Sequence, residues 1–165
     1  DGYPNREEYE RDMDPTRYVL PLRQGWNLIG LAGPPVDNRV TAVLGMDGRA
    51  AVALPAWRAE DDAYAVAVEF EATRGYWVYA TADEEITITA AGPASADLPA
   101  LGVGWNLVSV PCLPEDNSPA AVFGGAAAGS VWTWAGQGYV RATGIVPLRG
   151  YWVHVPPWVP SRANP

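Results

Sequence analysis

The segment Gly25-Trp26-Asn27-Leu28-Ile29-Gly30 returns 79 positions later as Gly104-Trp105-Asn106-Leu107-Val108-Ser109, and no other feature limits the fold so strongly. At the same offset Pro35-Val36-Asp37-Asn38 meets Pro114-Glu115-Asp116-Asn117, and Val43-Leu44-Gly45 meets Val122-Phe123-Gly124. Further along the offset is 75: Tyr64 meets Tyr139, and Arg74-Gly75-Tyr76-Trp77-Val78 meets Arg149-Gly150-Tyr151-Trp152-Val153. Trp57 and Trp134 align at an intermediate 77, and the drift places a loss of four residues in loops of the second copy. Matches in this order make the chain one unit written twice.

Each copy opens on a short apolar run after Gly (Trp26 to Leu31; Trp105 to Val110), as a buried strand does. Asp37-Asn38 and Asp116-Asn117 then offer N-caps for a helix of one or two turns, closed by Gly45 or Gly124. The remainder alternates with period two over Ala65 to Phe70, Tyr76 to Ala80 and Ile86 to Ala90, the pattern of half-buried strands. The expectation is an all-β chain: two tandem β-rich units, each a β-sandwich or small barrel-like body with one short helix, related by a pseudo-two-fold. Their bounds are 18–92 and 99–165, with a connection at 93–98. Repeated Trp26, Trp77, Trp105 and Trp152 are expected in the core, because a residue kept at both places belongs most simply to the shared packing plan.

Composition narrows the function classes. Eight Trp and eight Tyr stand against two Phe, and both favoured rings combine an apolar body with a polar handle. The net charge is −8 with no Lys/Arg cluster, so nothing here could neutralise phosphates along a nucleic acid. No apolar run approaches the roughly eighteen residues of a membrane span. Cys112 is alone, which leaves no internal disulfide and no Cys-based zinc site.

The chain resembles a tandem β-repeat of secreted and cell-surface bacterial proteins, written GWNL(I/V)(S/G)xP, then VWxWxGxxY, then GxGYWVYV. The resemblance covers roughly residues 18–158. It implies an extracellular location and a structural or interaction role more than an activity. The first unit departs from it, lacking the Trp-x-Trp pair that the second has at Trp132 and Trp134.

Residues 1–17 differ from the rest. Asp1-Gly2-Tyr3-Pro4-Asn5-Arg6-Glu7-Glu8 fits the latter part of a D-x-[DN]-x-[DN]-G-x₅-E loop. Asp1, the Tyr3 carbonyl, Asn5 and a bidentate Glu8 would be its Ca²⁺ ligands. The segment resembles the end of a thrombospondin type 3 or EF-hand-like calcium repeat. Loop positions 1 and 3 would precede Asp1, so a truncated linker is expected, in the C-terminal part of a larger protein.

Catalytic constellations are thin, and no catalytic residue is assigned. Cys112 with His154 is the one nucleophile–base pair on offer. His154 sits where the first unit has Tyr79, and Cys112 where it has Gly33. Glu60-Asp61-Asp62 and Asp83-Glu84-Glu85 fall between strand-like segments and read as solvated loop tips. Three non-catalytic roles stay open. One is a structural or interaction module that contacts other domains of its parent or neighbouring surface subunits. Another is a carbohydrate-binding module using Trp132, Trp134, Gln137, Tyr139 and Trp158, the residues that break the internal symmetry. The third is a subunit of an extracellular filament.

Overall fold

The computed structural model describes residues 17–45, 57–60, 63–92 and 98–157. The proposed calcium ligands Asp1, Tyr3, Asn5 and Glu8, and Trp158, lie outside them.

In the first unit, strands β1 (Arg17–Leu22) and β6 (Glu84–Thr89) form an antiparallel pair, Arg17 opposite Thr89 and Leu22 opposite Glu84. Their alternation decides their faces: Tyr18, Leu20, Leu22, Ile86 and Ile88 point into the core, while Val19 and Thr87 point out. A four-stranded antiparallel sheet follows in the order β2 (Gly25–Ile29), β5 (Tyr76–Ala80), β3 (Trp57–Glu60), β4 (Ala63–Val66). One face of it carries Ile29, Tyr76, Val78 and Ala80 onto helix α1 (Val40–Leu44) and the β1–β6 pair. Each fully buried aliphatic side chain here contributes about 1.5–3 kcal/mol.

The second unit repeats the four-stranded plan as β7 (Gly104–Val108), β10 (Tyr151–Val155), β8 (Val131–Trp134), β9 (Tyr139–Arg141). Its core of Val108, Val110, Phe123, Val131, Ile145, Tyr151 and Val153 is covered by α2 (Pro119–Phe123) and a further short helix, α3 (Gly125–Ala128). That extra turn was not expected; it adds Ala127 to the core. The sheets stay open, so of the two expected shapes the barrel does not form.

Corresponding local contacts recur in both units. The buried Tyr76 hydroxyl accepts the Glu71 amide at 2.7 Å, and Tyr151 accepts that of Val146 at 2.9 Å. Asn27 Oδ1 accepts the Arg23 amide while its Nδ2 donates to the Arg23 and Gly25 carbonyls; Asn106 does the same with Gly102 and Gly104. Asp37 and Asp116 are not the helix N-caps. They accept the amides of Arg39 and Ser118, two residues on, and those two residues stand at the cap positions.

The units meet across the pseudo-two-fold through the repeated motifs themselves. Gly75 N donates to the Leu107 carbonyl at 3.2 Å, and Gly150 N donates to the Leu28 carbonyl at 3.1 Å. Single antiparallel bridges join Arg74 to Val108 and Ile29 to Arg149. A Cβ on Gly75 would lie 2.9 Å from Leu107 Cδ1, and one on Gly150 2.8 Å from Leu28 Cγ. The glycine of each Arg-Gly-Tyr-Trp motif thus gives room to the leucine of the other unit's Trp-Asn-Leu motif. Near the axis, Gly30 and Ser109 face each other, and a Cβ on Gly30 would overlap the Ser109 side chain.

Candidate functional site: an aromatic groove

In β2 and β7 the tryptophan and the leucine are two residues apart, so they share one face of each sheet. The opposing strands place Tyr79 and Trp77 beside Trp26 and Leu28, and His154 and Trp152 beside Trp105 and Leu107. Each sheet therefore has a core face and an aromatic face, and the aromatic faces meet at Leu28, Trp77 and Leu107, flanked by Trp134 and Trp152. Of the four tryptophans expected in the core, only Trp77 is buried, at 9% exposure. Trp26 and Trp105 are 41% and 58% exposed, because they sit beyond the strip where the two faces meet.

Ring contacts obey the pseudo-symmetry. Trp26 packs edge-on against Trp77 and Tyr79; Trp105 packs against Trp152 and His154. Tyr139 of the second unit reaches Trp77 of the first at 6.2 Å, and Tyr64 of the first reaches Trp152 of the second at 6.3 Å. Burial, then the neighbouring Tyr64 hydroxyl, pushes the Tyr139 phenol up.

Strand register corrects one correspondence. Trp57 lies opposite Trp77 and Val66, while Trp132 lies opposite Trp152 and Arg141. Trp57 therefore corresponds to Trp132, at offset 75, not to Trp134. Trp134, opposite Tyr139, corresponds to Ala59, opposite Tyr64. Here the symmetry breaks. Trp134 packs at 5.3 Å against Trp77, with its Nε1 buried and without a hydrogen-bond partner among the described residues.

On the other side, beside Trp152, lies a groove of about 980 Å³. Its aromatic walls include Trp105, Trp132, Trp152, Tyr64 and Tyr139, and Glu71, Thr73 and Arg74 add polar groups. The Arg141 guanidinium lies 5.9 Å from the Trp132 ring centre and donates to the Gly129 carbonyl, which holds that wall in place. Glu71 and Arg74 are ion-paired at 3.0 Å and half-exposed. The side chain of Asn106, also in the wall, is already bonded to the Gly102 and Gly104 backbone.

Of the residues proposed from sequence, the structure brings Trp132 and Tyr139 together in the groove. Trp134 packs inside the unit interface instead, and Gln137 is exposed in the turn between β8 and β9 without reaching the groove. Tyr64, Glu71, Thr73 and Arg74 were not proposed for a site, and Trp105 and Trp152 were expected in the core. A single offset of 75 through the second half of each unit would have flagged Glu71 and Thr73, whose counterparts are Val146 and Leu148.

The chain matches no protein-family model, no curated protein and no solved structure with which it was compared.

Burial pushes the Cys112 thiol up, opposite to the shift that activates a nucleophile. His154 is in ring contact with Trp105 at 5.0 Å. The Gln24 amide and the Arg23 guanidinium hold the Asp83 carboxyl below its usual range, whereas an acid catalyst needs a raised one. No helix among the described residues is long and apolar enough to cross a membrane.

Proposed function

We propose that this chain is a non-catalytic recognition module, displayed outside the cell as part of a larger bacterial protein, that seats its ligand in the groove beside Trp152. The carrying observation is an open groove walled by aromatic rings, with Glu71, Thr73 and Arg74 as its polar groups. Concave, mostly apolar sites with a few placed polar groups are where proteins bind ligands. The placement outside the cell rests on the sequence resemblance. The two units bridge each other at Arg74–Val108 and Ile29–Arg149, and the groove walls come from both.

A paired comparison tests this. The intact chain and its Trp105→Ala and Trp26→Ala variants are screened against immobilised glycans and proline-rich peptides. Loss of a ligand with Trp105→Ala but not with Trp26→Ala is the expected result. A panel on which the intact chain captures nothing, or on which the variants behave alike, would refute the proposal.

A further inference from the structure

The pseudo-two-fold generates two clefts, one beside Trp77 and one beside Trp152, and they have diverged in opposite directions. Beside Trp77 the cleft is filled by Trp134, and the counterparts of Glu71 and Thr73 are Val146 and Leu148. Beside Trp152 an alanine, Ala59, holds the register position of that indole, and Glu71 and Thr73 join Arg74 in the wall. One cleft holds a plug and apolar counterparts of the polar groups; the other holds the polar groups and, among the described residues, no plug. An unfilled cavity forfeits packing energy, and exposed aromatic surface of this kind marks an interaction site.

Resting on the reading of this groove as a binding site, we infer that its ligand is one neutral saccharide chain. Sugar rings present a flat C–H face, which the exposed rings of Trp105, Tyr64 and Tyr139 can stack upon. Each sugar hydroxyl is both donor and acceptor, so one diol can donate a hydrogen bond to the Glu71 carboxylate and accept one from the Arg74 guanidinium. The opposite charges of that pair suit a ligand without net charge.

A polyanion is disfavoured by Glu71 and by the −8 charge of the chain. A polyproline segment also fits aromatic grooves, but prolyl nitrogens carry no proton and would offer the Glu71 carboxylate no donor beyond Arg74. The groove, at about 980 Å³, lies at the upper end of ordinary ligand sites, which suits several linked rings rather than one.

The experiment is calorimetric titration of the intact chain with neutral oligosaccharides (glucan, xylan, mannan and chitin fragments) and, in parallel, a proline-rich peptide. One oligosaccharide class is expected to bind at a single site per chain. Trp105→Ala should weaken it about tenfold or more, a loss ordinary for a central aromatic anchor. Ala59→Trp, which copies the plug from the other unit, should abolish binding while the chain still melts cooperatively. Trp26→Ala should leave binding unchanged.

Two equivalent sites per chain, or saccharide affinity that survives Ala59→Trp in a cooperatively melting chain, would overturn the inference. Peptide binding lost with Trp105→Ala, with no saccharide response, overturns the saccharide and leaves the recognition module standing. Silence in every arm overturns both.

Discussion

Replacing Gly75 by alanine tests whether the repeated motifs form the joint between the units. The new methyl would sit 2.9 Å from Leu107 Cδ1, 3.0 Å from its Cγ and 3.0 Å from the Val108 carbonyl oxygen. The leucine tip can turn aside, but the carbonyl is fixed in the β7 backbone, so the strands must part. Overpacking of this kind costs about 1–3 kcal/mol. Against it stands about 0.4–1 kcal/mol from the reduced freedom of the unfolded chain when glycine becomes alanine. A net loss of about 1–2 kcal/mol, at about 2–4 °C per kcal/mol for a chain of this size, lowers Tm by about 2–8 °C.

Gly150→Ala should do the same, since its methyl would meet Leu28 Cγ at 2.8 Å and the Ile29 carbonyl at 2.9 Å. Gly138→Ala, where nothing lies within 4 Å, is the control and should stay within about 0.5 kcal/mol. Differential scanning calorimetry reads all three. Combining Gly75→Ala with Leu107→Ala removes part of the clash, so the pair should cost less than the sum by about 0.5 kcal/mol or more. Gly75→Ala and Gly150→Ala proteins that melt at or above the parental temperature would show that the motif glycines do not make room for the opposite unit.

Three further outcomes follow from the same contacts. The Ser109 hydroxyl is fully buried with no hydrogen-bond partner among the described residues, so Ser109→Ala should hold or raise stability, by up to about 1 kcal/mol in urea denaturation; a clear loss would show a partner. The Arg39 guanidinium holds the Asp37 carboxyl down at about 2, so its contribution is complete above the unfolded value near 4 and lost as pH falls through about 2. Asp37→Asn should therefore flatten part of the fall in urea midpoint over that window, and parallel curves for the two proteins would contradict it. Residues 1–92 and 98–165 produced separately should not both melt cooperatively at the parental midpoint, because each would bare one side of the Leu28–Trp77–Leu107 cluster. Two unchanged midpoints would mean independent units.

The duplication made the strand plan legible, because Gly-Trp-Asn-Leu and Arg-Gly-Tyr-Trp mark β2, β5, β7 and β10 directly. The depth of each tryptophan was not legible. Period-two alternation assigns a side chain to a face, but Trp26 and Leu28 share a face and differ in burial, since only the second unit's position decides how far the cover extends. The site was half legible for the same reason. Trp132 and Tyr139 were picked out beside the Trp-x-Trp pair as breaking the symmetry, although the register pairs them with Trp57 and Tyr64; Tyr64, Trp105 and Trp152 become walls only when the other unit supplies the opposite side. Trp134 misled because a change in loop length between copies let it align with Trp57; ladder register removes the ambiguity.

The meeting of Gly30 with Ser109 bears on how such a chain can change. In a dimer of identical units, two positions facing each other across the axis must hold the same residue, and serine at both would put two side chains into space that holds one. Joined in one polypeptide, the copies answer to separate codons, so one position can grow into the volume the other gives up. The same freedom lets an indole close one cleft while its twin stays open. Covalent linkage, rather than any new fold, is what allows a symmetric body to keep a single-sided surface.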